Sequence, residues 1–160
     1  MKAIARNKRA VRDFEIIETF DAGIALVGSE VKSLRAGRVS FKDSFARVKN
    51  GEVWLYGLHI SPYEKAGVFI HDPVRRRKLL LHKREIMKLK SRTEERGLTI
   101  VPLEIYFDDK GLCKIRIALA KGRKQYQKKQ YILGKQQERD KERELREYFK
   151  KGRRTRRSED

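Results

Sequence analysis

Asn50-Gly51 constrains this chain more than any other pair of residues. A tight two-residue hairpin needs positive φ at both central positions, and Asn-Gly reaches that conformation at least cost. Phe45-Ala46-Arg47-Val48-Lys49 precedes it and Glu52-Val53-Trp54-Leu55-Tyr56-Gly57 follows, each alternating as a strand does. Trp54 and Tyr56 then face one way, Val53 and Leu55 the other. A second hairpin is predicted over Asp108-Asp109-Lys110-Gly111, between Leu98–Phe107 and Leu112–Ala120. There Val101, Leu103, Ile105 and Phe107 share one face, matched by Cys113, Ile115, Ile117 and Leu119. Pro102 lacks an amide hydrogen and marks an edge or a bulge. Phe14–Phe20 and Ile24–Val27 read as two more strands around a turn at Asp21-Ala22-Gly23. Six strands, short turns and no β-α-β rhythm predict a mainly β fold. The expected topology is a six-stranded antiparallel OB-like barrel with two or three short helices.

The first helix is expected after Gly28. Ser29 is a good N-cap, Val31 and Leu34 lie three apart on one face, and Gly37 can end the helix in the left-handed conformation. Glu30 stands near its start beside Lys32, Arg35 and Arg38. It is either a first-turn acid favoured by the helix dipole or a binding group, and the local pattern leaves both open. Ile60–Pro73 reads as a loop, and a further helix is expected over Lys83–Lys90 with Ile86 and Leu89 inward. Before it, Arg75-Arg76-Arg77-Lys78 runs into Leu79-Leu80-Leu81. Such a run is commonly a solvated loop. Four cations beside apolar residues favour a nucleic-acid surface.

The net charge of +19, from 41 Lys and Arg against 22 Asp and Glu, makes a polyanion the leading partner class. Residues 1–12 hold five basic residues and no acid, and residues 121–160 hold sixteen against seven. The chain is therefore expected to divide into a basic N-terminal arm (1–12), a barrel (13–120) and a basic tail (121–160). Lys121–Lys129 is too polar to order itself. From Lys135 to Lys151 acids and bases alternate, with pairs such as Glu142/Arg146 in the favourable i, i+4 order. The tail is expected to be disordered alone and helical on a charged partner.

The lone cysteine, Cys113, excludes an intramolecular disulfide and reads as a buried structural thiol. No apolar run is long enough to span a bilayer, and the N-terminus lacks an apolar signal region; a cytoplasmic protein is expected. His59, His71 and His82 are dispersed, with no metal-binding spacing, no nucleophile elbow and no glycine-rich phosphate loop. Neither an enzyme nor a metal or cofactor is expected. A cold-shock-like strand binder would want several exposed aromatics on one sheet face, and Trp54 and Tyr56 are too few.

Five blocks carry a family resemblance: Ala5–Ala10, Gly28–Gly37, Arg77–Ile86, Gly97–Leu103 and Ala118–Lys124. In order, and covering about residues 3–129, they resemble the SsrA-binding protein (SmpB) family. The resemblance implies a monomeric bacterial factor that binds the tRNA-like domain of transfer-messenger RNA (tmRNA) and brings it to stalled ribosomes for trans-translation. It also implies that the basic tail enters the decoding centre and mRNA channel, meeting 16S rRNA. Glu30 would accept hydrogen bonds from base amines or 2′-hydroxyls, and Leu80 and His82 would offer an apolar platform and a ring to unpaired bases. Arg6, Asn7, Lys8, Arg9, Lys32, Arg35, Arg75, Arg76 and Arg77 would complete the RNA surface, with Lys121 and Lys124 at its tail end. In the tail, Tyr126 would stack on rRNA, held by Lys128, Lys129 and Lys135. Gln127-Lys128-Lys129 departs from the family's Asp-Lys-Arg, which removes a charge pair and a bidentate fork. The competing class is a structural ribosomal or general rRNA-binding protein, which composition does not separate from the first.

Overall fold

The computed structural model describes residues 2–62, 71–94, 97–123, 139 and 143. In chain order these form β1 (Lys2–Arg6), α1 (Lys8–Asp13), β2 (Phe14–Ile24), α2 (Gly28–Arg35), β3 (Val39–Ser40) and β4 (Phe45–Lys49). Then come β5 (Glu52–Tyr56), β6 (His59–Ile60), β7 (Arg77–Leu80), α3 (Lys83–Glu94), β8 (Leu98–Phe107) and β9 (Cys113–Gly122). The chain divides into two units, Met1–Gly122 and Arg123–Asp160. In the second, Arg139 and Arg143 are helical and exposed; the remainder of the expected tail lies outside the described residues.

All pairings of the main sheet are antiparallel, and six strands follow one another in a ring, β8-β4-β5-β7-β2-β9, with β9 pairing back onto β8. β1 adds to the outer edge of β8, while β3 and β6 pair separately. Within the ring lie Leu55, Leu79, Ile100, Ile105, Ile115 and Ile117, with Leu34 of α2 and Leu89 of α3 packed against them. Each such side chain taken from water contributes roughly 1.5–3 kcal/mol. Among the described residues no helix is long and apolar enough to cross a membrane.

The Asn-Gly hairpin is as expected: Asn50 has φ 52° and Gly51 φ 74°, and Lys49 lies opposite Glu52. Val53 and Leu55 are buried, whereas Trp54 and Tyr56 are half-buried on the outer face. Gly37, at φ 73°, ends α2. Its amide donates to the Leu34 carbonyl at 2.9 Å and the Arg38 amide to that of Ser33 at 3.0 Å, the paired bonds of a Schellman ending.

Four expectations are corrected. No turn interrupts Asp21-Ala22-Gly23, because β2 runs on through eleven residues. Phe20, Ala22 and Ile24 keep the inward alternation, and Gly23 packs against Leu80, where a Cβ would come within 3.3 Å of that side chain. Residues 2–13 are not a free arm: β1 pairs with β8, and α1 buries Ala10 against Val101, Ala118 and Ala120. A bulge between Pro102 and Glu104 turns Val101 and Leu103 toward α1 and gives Ile100 to the main core. Finally, Val27 rather than Ser29 occupies the N-cap of α2, its backbone amide donating to Glu30 Oε1 at 3.0 Å.

Candidate nucleic-acid interface

Glu30 sits in the first turn of α2, where the unpaired amides of a helix start favour a carboxylate. It is fully buried. Two arginines from the basic run meet it. Arg77, also fully buried, donates from Nε to Glu30 Oε2 at 2.5 Å. Arg75, at the margin, donates to Oε1 through Nη2 and through Nε, the latter at 3.2 Å. The rest of the Arg77 fork is spent on backbone, Nη1 on the Leu58 carbonyl at 2.6 Å and Nη2 on that of Pro73 at 3.1 Å. Alternation in β7 explains the contrast within the run: Arg77 and Leu79 point in, Arg76, Lys78 and Leu80 point out.

Burial by itself would raise the Glu30 carboxyl. Hydrogen bonds from Arg75, the Val27 amide and Arg77, with the charge of Arg77, outweigh it and hold the group below its ordinary value. Burial lowers Arg77, and Glu30 opposes that shift. Beside this pair, His71 Nε2 lies 2.8 Å from the Ile60 carbonyl and Nδ1 lies 2.8 Å from the Ser29 hydroxyl. A carbonyl only accepts, so Nε2 carries the proton and, in the neutral ring, Nδ1 accepts from Ser29. α2, β6 and the entry to β7 are thus fastened by one buried polar cluster. Glu30 and Arg77, expected on the RNA surface, have no exposed surface in this structure and brace α2 against β7 from inside.

Asn7 is half-buried, and its side chain is engaged within the fold. Its Oδ1 accepts from the Ala10 amide at 3.2 Å as the cap of α1, and its Nδ2 donates to the Pro102 carbonyl at 2.8 Å. Around it Arg6, Lys8 and Arg9 are exposed and rim, with Lys42, a groove of about 830 Å³ between α1 and residues 39–45. Lys32 and Arg35 are exposed on α2, with Arg35 6.0 Å from the Phe107 ring centroid. Leu80 is 53% exposed at the end of β7. His82, also exposed, opens α3, its amide donating to Glu85 Oε1 at 3.1 Å. Lys121 is exposed near the end of β9. Lys124, Tyr126, Lys128, Lys129 and Lys135 lie outside the described residues.

The exposed expected sites are thus Arg6, Lys8 and Arg9 at the groove, Lys32 and Arg35 on α2, Arg76 before β7, Leu80 and His82 at the mouth of α3, and Lys121 on β9. No sequence spacing marks Ser29 and His71 as partners, because a buried histidine meets the helix start only through the fold. Cys113 is half-buried, and burial pushes its thiol up to about 12, which leaves almost no thiolate at neutral pH. Among the described residues no group of three His, Cys, Asp or Glu is placed to hold a metal.

Comparison with known proteins adds the following. Residues 4–147 match the family model described as SmpB protein. An SsrA-binding protein of Halothermothrix orenii is 55% identical over 150 residues, 94% of each chain. One from Carboxydothermus hydrogenoformans is 53% identical over 145 residues, covering 91% of this chain and 97% of its own. A solved chain described under "tmRNA-SmpB: a journey to the center of the bacterial ribosome" superposes with a TM-score of 0.65 at 54% identity. That match covers 76% of this chain and 85% of the other.

Proposed function

The chain belongs to the SmpB protein family, and from that premise we propose that it binds the tRNA-like domain of tmRNA and delivers it to stalled ribosomes for trans-translation. The observation that carries this reading is the family match over 4–147, which runs through the β ring and beyond it. In this reading the ring is an OB-like barrel, and the protein works in the cytoplasm by binding alone, with no catalytic step. Arg6, Lys8, Arg9, Lys32 and Arg35 are exposed cations suited to phosphate, and they position the RNA without reading its sequence. Leu80 and His82 offer unpaired bases an apolar platform and a ring. The buried Glu30–Arg77 pair holds α2 and β7 in the relative position that these contacts need. The segment from Lys121, with Lys124, Tyr126, Lys128, Lys129 and Lys135, is assigned to 16S rRNA in the decoding centre and mRNA channel.

Gel-shift competition between a tRNA-like tmRNA fragment and random RNA of equal length tests the reading, at about 150 mM salt where nonspecific phosphate binding is weak. Preference for the fragment is expected. Equal affinity would reduce the protein to a general rRNA binder. Truncation after Arg123, which leaves β9 whole, is expected to spare the fragment's binding and abolish tagging on stalled ribosomes. Loss of fragment binding in that variant would overturn the division between barrel and tail.

A further inference from the structure

The outer face of β4, β5 and β7 carries a pattern that, apart from Arg76, the sites above leave unused. Register sets Arg47 opposite Trp54 and Trp54 opposite Lys78, giving one row of cation, aromatic, cation across three strands. In the next row Phe45 lies opposite Tyr56. Their rings stack with centroids 5.4 Å apart and planes 19° apart. The arginines lie across these rings: Arg76 is 4.6 Å from the Trp54 centroid and Arg47 is 5.2 Å from that of Phe45. Neighbouring strands are about 4.8 Å apart and like-facing residues about 6.7 Å apart along a strand, so rings and cations alternate within one small patch. Glu52, the acid on this face, is held by Lys78 at 3.0 Å, and among the described residues no acid pairs with Arg47 or Arg76. The face is therefore cationic and aromatic together, and it leads along β7 to the exposed Leu80.

We propose that this face is a second RNA-binding surface, taking an unpaired stretch of nucleotides with bases against Trp54 and the Phe45–Tyr56 pair and phosphates on Arg47 and Arg76. Aromatic rings accept any base by stacking, and guanidinium planes both stack and bind phosphate. A duplex keeps its bases paired and presents only phosphate, so it has no use for the rings. The proposal borrows from the functional reading only its choice of polymer, and the test below separates the two.

Trp54 is the chain's one tryptophan, so its emission reports on this face alone. Full-length protein is titrated with an oligouridylate octamer, with an RNA duplex of equal charge and with an oligoglutamate peptide, binding being followed in parallel by gel shift. The octamer is expected to quench Trp54 saturably, and the duplex to shift the protein without quenching. The Arg47→Glu/Arg76→Glu double variant should weaken octamer binding about tenfold or more through lost phosphate contacts, whereas Lys90→Glu/Lys110→Glu should leave it nearly unchanged. Octamer binding without quenching, equal quenching by the duplex, or equal weakening by both double variants overturns the proposal. Quenching by oligoglutamate but not by the octamer would assign the face to an acidic protein and also overturn it. If the tmRNA fragment still binds while Trp54 stays silent, the face is discarded and the function stands. If Trp54 is quenched but the fragment does not bind, the face stands and the function falls.

Discussion

Two ion networks join distant parts of this chain, and they differ in almost everything but charge. In the first, Glu30 meets Arg77 with both side chains at 0% exposure and Arg75 at 33%. In the second, Asp21 and Glu104 meet Arg116 at 3.1 and 3.4 Å, and Glu104 meets Arg6 at 3.5 Å, with Arg6 70% exposed and Asp21 56%. Glu104 itself is only 10% exposed, but water reaches the Arg6, Arg116 and Asp21 ends of these pairs and lets them rearrange, so each contributes little. The Glu30–Arg77 pair has surrendered its water, and Arg75 with the Val27, Leu58 and Pro73 backbone groups replaces it. Such a pair need not beat a well-packed apolar core in stability. What it enforces is one arrangement, since any shift of α2 against β7 strands a charge.

The comparison breaks most sharply at Arg77. Arg77→Ala leaves the Glu30 charge buried with part of its shell gone, an expected loss of about 3–5 kcal/mol in urea unfolding. A loss below about 1 kcal/mol would mean that water reaches Glu30, and the contrast between the networks would collapse. A pH titration sharpens it next. The Glu30 carboxyl is lowered in the folded protein, so its contribution is whole above the ordinary unfolded value of about 4.3. It drains away as pH falls from there through the lowered folded value. Glu30→Gln should lack this component, so the stability difference from the native protein should narrow below about pH 4; a constant difference would refute the assignment. Asn7 lies between the extremes, as a half-buried neutral cap beside the outer network. Asn7→Ala should cost about 1 kcal/mol, and a neutral result would show that α1 holds without its cap. The smallest effects belong to the outer network. Arg6→Ala and Arg116→Ala should each stay within about 1 kcal/mol, with most of that gone in 1 M salt, where the screening length is about 3 Å. A salt-insensitive loss would place Arg116 with the buried class.

Much of the local structure was legible because it depends on neighbours in sequence. Asn50-Gly51 implied its hairpin, Gly37 its helix ending, and alternation through Val53 and Leu55 the buried face of β5. The errors share a cause. Asp21-Ala22-Gly23 has the composition of a turn, yet Gly23 is small because Leu80 lies on it from β7. Ser29 has the chemistry of a cap, yet its hydroxyl goes to His71 across forty-two positions. Val101 keeps an unbroken alternation on paper, and the bulge after Pro102 reverses its side.

Taken alone, the order of residues decided the mainly β class, the hairpins, the cationic character and, through its motif blocks, the family. Those follow from backbone preference, alternation and charge, each set within a few residues. Which arginine of Arg75-Arg76-Arg77 is spent inside and which is left for a partner was decided by the tertiary structure alone. Pairing of β7 between β5 and β2 turns Arg77 toward Glu30 and lays Arg76 on Trp54. The same guanidinium therefore becomes a buried brace or a solvent-facing contact according to the side of the sheet on which it emerges.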